Sequence, residues 1–154
     1  MRKIISVALM SMIISVGMAQ TTNSQQSKKE ASGKVVKLEK ILFVYPEDLG
    51  VLSHEEAEQI CGKINAQKMH GHSDWRLPSQ DELSMIYMDK DKISGLIKGY
   101  YLSAFPVVNE WGNTVGYPVF DMTTGNRQWR RADDAFEDYM PVDEKANVRL
   151  VRGN

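Results

Sequence analysis

Six residues late in this chain carry the side-chain chemistry of a ligand face: Trp111, Asn113, Arg127, Trp129, Arg130 and Arg131. A guanidinium beside an indole holds a carboxylate or sulfate through paired N–H donors, while the ring stacks on a flat partner such as a sugar face. Trp111 stands in the polar loop Asn109-Glu110-Trp111-Gly112-Asn113, with a glycine at its side, the setting of an exposed stacking platform. Arg149 and Arg152 extend the arginine set. The plainer reading of these arginines is a set of salt bridges to Asp133, Asp134, Glu137 and Asp138, and tryptophans in loops often simply pack.

Other combinations are weaker. His70, His72 and Asp74 alternate, so on a strand they share one face, but they offer three local ligands and no obvious fourth. No metal or cofactor is expected. His54 and Cys61 lie seven apart on a helix, a thiol–imidazole spacing without a third orienting group. His54 is expected at the surface of a first helical turn, and Cys61 as a small buried hydrophobe on the helix's apolar face. The chain contains no Gly-x-Ser-x-Gly elbow, no phosphate loop and no His-Glu-x-x-His helix, so no catalytic residue is assigned.

The elements that must position these residues centre on residues 70–83. Trp75 and Leu77 alternate with Asp74 and Arg76, which sends one pair towards a core. Pro78 keeps Leu77 extended, and Ser79 with Glu82 three residues on forms a capping box that opens a helix. Asp81 or Glu82 is placed to hold Arg76. Upstream, residues 40–45 read as a mostly buried strand bounded by Pro46. Ser53 and Glu56 form a second capping box, opening a helix whose inner face is Ala57, Ile60, Cys61 and Ile64. Beyond Tyr100, short β-prone runs at 100–105, 118–122, 127–131 and 147–151 alternate with turn residues. Residues 123–126 are expected to close a hairpin between 119–122 and 127–130. The pattern is that of one α+β domain, two main helices packed on short antiparallel strands.

Arg2 and Lys3 precede an almost wholly apolar run over residues 4–16, and Gly17-Met18-Ala19 supplies small residues for cleavage. At roughly 13 residues the run is short for a membrane span and suits a signal peptide. Residues 1–19 are therefore expected to be a signal peptide, 20–34 a flexible polar tether and 35–154 the domain, secreted or periplasmic, with no stable membrane span after cleavage. Loss of Arg2 and Lys3 takes the net charge from -1 to about -3, which gives no global reason to bind nucleic acid.

The stretch Gly71-His72-Ser73-Asp74-Trp75-Arg76-Leu77-Pro78, with the helix after it, resembles the hallmark of the Lcl C-terminal domain family, named for the end domain of a bacterial collagen-like adhesin. Leu52-Ser53-His54-Glu55-Glu56-Ala57, Tyr101-Leu102-Ser103-Ala104 and Val148-Arg149-Leu150-Val151-Arg152 are similar to further family segments, in order. The resemblance implies a C-type-lectin-like fold, akin also to formylglycine-generating enzymes, with the terminal strands side by side and loops building a variable face. It further implies a non-catalytic extracellular module whose partner is a glycan, anionic or sulfated, or a surface protein. Leu150 stands where the family commonly has cysteine, which implies that a disulfide of Cys61 has been replaced by packing. The calcium signatures Glu-Pro-Asn and Trp-Asn-Asp do not occur.

Overall fold

The computed structural model describes residues 34–38, 42–130 and 135–153. In chain order the elements are β1 (Val36–Leu38), β2 (Leu42–Val44), β3 (Val51–Leu52), α1 (His54–Ala66), α2 (Gln80–Met88) and β4 (Tyr100–Leu102). The strands β5 (Val107–Val108), β6 (Thr114–Tyr117), β7 (Val119–Asp121) and β8 (Trp129–Arg130) follow. Then come β9 (Phe136–Glu137), β10 (Met140–Pro141), β11 (Ala146–Asn147) and β12 (Val151–Arg152). They form three small sheets, ordered β1-β2-β12, β10-β6-β5 and β3-β11-β4-β7, and a two-stranded ribbon β8-β9. The fold is a single mixed α+β domain. The antiparallel pairing of β12 with β2 sets the first and last parts of the described chain side by side.

Both helices start where local chemistry dictates. Ser53 Oγ accepts from Glu56 N–H at 3.3 Å while Glu56 accepts from Ser53 N–H at 2.8 Å. Ser79 and Glu82 repeat the exchange at 3.2 and 2.8 Å. Each box satisfies backbone donors that have no partner inside the helix. α1 turns Ala57, Cys61 and Ile64 inward and α2 turns in Leu83 and Ile86.

Neighbouring residues on the central segments serve two different cores. Leu102, Val119, Leu150 and Tyr45 join Ala57, Cys61, Ile64, Trp75 and Leu77 in one cluster. Tyr101, Phe120, Val151 and Val44 join Leu83 and Ile86 in the other. The two-residue period of extended chain divides the domain, with α1 on one side and α2 on the other. Trp75 is the largest fully buried side chain, set edge-on to Tyr45 at 5.0 Å between ring centroids. Cys61 and Leu150 lie in the same cluster.

One expectation fails here. The hairpin between 119–122 and 127–130 does not form. The chain does turn tightly, with Asp121 N–H donating to Asn126 O at 2.8 Å, but β7 pairs with β4 and β8 with β9. The strand expected over residues 40–45 is present as β2, Leu42–Val44, with Leu42 and Val44 buried; residues 39–41 lie outside the described residues, and β2 pairs antiparallel with β1.

Candidate functional site

The frame on which any site must stand is the corner at residues 74–79. Arg76 N–H and C=O both bond Val151 at 2.9 Å, which ties the corner to β12. Asn65 of α1 clasps Trp75 from above, accepting from its N–H at 2.9 Å and donating to its C=O at 2.8 Å. Cys61 Sγ donates to the same carbonyl at 2.9 Å. Arg76 forks onto Glu82, Nη1 to Oε2 at 2.7 Å and Nη2 to Oε1 at 2.6 Å. Partial burial pushes the Glu82 carboxyl up, but Arg76 and the Ser79 N–H outweigh it and hold it below the usual carboxylate range. The residue that grips Arg76 is Glu82, while Asp81 turns to Arg127.

A groove of about 780 Å³ opens beside this corner, lined by Glu58, Cys61, Leu77, Ala104 and Phe105 and by the Arg76–Glu82 pair. Burial, then the charge of Glu58, pushes the Cys61 thiol up, away from the thiolate a nucleophile needs. His54 is buried, which corrects the expected surface position. Its ring stacks on Tyr117 of β6 at 3.7 Å, with Nε2 3.4 Å from Ala104 O and Nδ1 3.8 Å from Glu58. A partner so distant in sequence leaves no local signal.

Trp111 and Asn113 sit at the tip of the β5–β6 hairpin. Asn109 organises it: its Oδ1 accepts from the N–H groups of Trp111 at 3.1 Å and Asn113 at 3.0 Å, while its N–H bonds Asn113 O at 2.9 Å. The turn also bonds Gly112 N–H to Asn109 O and needs Gly112 at φ +80. Its backbone is thus fixed while the Trp111 side chain stays 76 % exposed. Phe105 and Val108 are exposed along the same stretch, at 67 % and 55 %. Among the described residues β5 is an edge strand of its sheet, with Phe105, Val108 and Trp111 exposed in it or near it. At the other end of β6, Gly116 makes the pairing with β10 possible: a Cβ there would lie 2.3 Å from Met140 O.

Arg127 and Trp129 lie elsewhere. The half-exposed Arg127 pairs with Asp81 at 2.8 Å, and its C=O accepts from Gln80 at 3.3 Å, which docks it on the start of α2. Trp129 is half-buried against the first core cluster and pairs in register with Glu137. Of Arg130 only its place on β8 is described, and Arg131 lies outside the described residues, as do Asp133 and Asp134. Arg149 is wholly buried, and Arg152 bonds Asp74 at 3.2 Å and lies 4.3 Å over the Phe43 ring, so neither joins a ligand face.

The three alternating polar residues are likewise dispersed. His70 takes a left-handed backbone, φ 53, and meets Tyr45 edge-on; His72 meets Trp75 edge-on; Asp74 holds Arg152. Among the described residues no group of three or more His, Cys, Asp or Glu could hold a metal ion, and no helix is long and apolar enough to cross a membrane.

What emerges is one α+β domain with a stapled corner at its centre and exposed aromatic and apolar side chains on a peripheral hairpin. The sequence profile of the Lcl C-terminal domain matches residues 18–152, and the chain belongs to that family. This is a non-catalytic domain typical of bacterial surface-associated proteins. No curated protein matches the chain.

Proposed function

We propose that the protein is an exported, non-catalytic binding module that recognises glycans at the cell surface through the Trp111 hairpin. The observation that carries this reading is a tryptophan 76 % exposed on a turn whose backbone is fixed by Asn109. A ring held out on a rigid support stacks on a sugar face at little entropic cost. Asn113 beside it supplies side-chain amide chemistry for hydroxyl groups. Arg127, held on the start of α2 by Asp81, lies away from this hairpin and is not counted in the face. The groove beside the corner is a less direct candidate, since its arginine is already engaged by Glu82.

A glycan array probed with the folded protein, with and without calcium, tests the reading. Calcium-independent, selective signals support it, and salt-sensitive ones extend it to anionic glycans. A blank array on folded protein overturns it. The exposure of Phe105, Val108 and Trp111 in or near edge strand β5 favours a second reading, contact with a surface protein by strand addition.

A further inference from the structure

On another face, the segment after α2 encloses a pocket of about 340 Å³, lined by Lys90, Ile93, Gly95, Leu96, Ile97 and Lys98 among others. Two lysines and several aliphatic residues line it, and no carboxylate-bearing residue does among the described residues. The adjacent Asp89 is engaged by Lys92, and Lys90 rests 4.1 Å over the Tyr87 ring.

Behind this wall stands a cation with unmet donors. Arg149 is 0 % exposed, donates from Nη2 to Ser94 O at 2.6 Å, and has buried Nε and Nη1 groups that meet no acceptor among the described residues. Asp48, whose charge reaches the guanidinium, spends one oxygen on the Tyr101 hydroxyl and the other on Gly50 N–H at 3.3 Å. Tyr101 Oη in turn accepts from Ile97 N–H at 2.9 Å, and Thr123 Oγ1 accepts from Gly99 N–H at 3.0 Å, so the covering segment is pinned over the cluster. A Cβ on Gly95 would lie 3.9 Å from Arg149 Nη2; the guanidinium is directly behind a wall residue that has no side chain. Burying a cation with unpaired donors is costly, and a nearby anion offsets that cost.

We infer that this pocket binds a small organic anion, with its oxyanion head between Lys90 and Lys98 against Gly95 and its apolar body on Ile93, Leu96 and Ile97. The volume is at the lower end of small-molecule sites. The two lysines bring the anion in, and Arg149 supplies fixed positive potential behind the head. The site is separate from the Trp111 hairpin and does not rest on the glycan reading.

Nuclear magnetic resonance titration of the ¹⁵N-labelled protein tests it with three probes: benzoate, inorganic sulfate and benzyl alcohol. Benzoate should shift the amides of Gly95, Leu96 and Ile97 and the Arg149 Nε–H saturably, with the other two at least about tenfold weaker. The double variant Lys90→Ala/Lys98→Ala should weaken benzoate about tenfold with an unchanged melting temperature. Trp111→Ala should leave the titration as it is. Sulfate binding as well as benzoate overturns the apolar half of the inference, and benzyl alcohol doing so overturns the charged half. Absence of saturable benzoate shifts, or an unaffected double variant, overturns the whole.

Discussion

Trp75 is 2 % exposed, donates from Nε1 to Met69 O at 3.1 Å, and is gripped through its backbone by Asn65; Trp111 is 76 % exposed and its backbone is held by Asn109. In both places an asparagine side chain fixes the main chain, and what differs is where the indole goes. At the corner, the ring closes a core and the neighbouring polar groups are spent on internal bonds. At the hairpin, the turn satisfies itself and the ring is left over. A side chain that the fold does not consume is the one available to a ligand, and that distinction separates scaffold from candidate face here.

Four substitutions break or sharpen this contrast. Trp75→Ala should cost about 3–5 kcal/mol, the range for truncating a buried aromatic, and chemical denaturation should show it as a large fall in midpoint. Gly116→Ala should cost about 1–3 kcal/mol because its Cβ meets the Met140 carbonyl and Tyr139 ring at 2.3 Å; that loss should fall on β6 and β10 amide protection. Glu82→Gln should lower stability by about 1 kcal/mol through the weakened capping box and Arg76 fork. It should also change the acid limb. With its carboxyl held below the ordinary value of 4.5, Glu82 contributes stability that is complete above that pH and lost as pH falls through the lowered folded value. A glutamine variant should therefore show a shallower acid decline, and an unchanged acid slope would remove this role. Trp111→Ala should shift stability by about 0.5 kcal/mol or less, as expected of an exposed site, measured by the same denaturation.

The parts of the fold set by neighbours in sequence were legible. Both capping boxes, the inward faces of α1 and α2, the Trp75–Leu77 alternation and the buried Cys61 follow from spacings of two to four residues. Features set by distant partners were not. Nothing local tells β8 to pair with β9 instead of β7, or tells His54 that Tyr117 will cover it. The late arginines read as one group because they are close in sequence, yet Arg127 goes to α2, Arg149 to the interior and Arg152 to Asp74 and Phe43. Trp111 was legible as exposed because its loop is polar and contains Gly112, whereas Trp129 gave no sign of its half-buried packing. Asn65 and Asn109, which hold the two tryptophan backbones, carry no motif and show their roles only in three dimensions.

The most direct test of this division is the same glycan array probed with wild-type protein and with Trp111→Ala, after both melts have been recorded. The account predicts equal melting within a few degrees and loss of the array signals in the variant. Array signals that survive intact in Trp111→Ala would contradict it and take the ligand away from the hairpin.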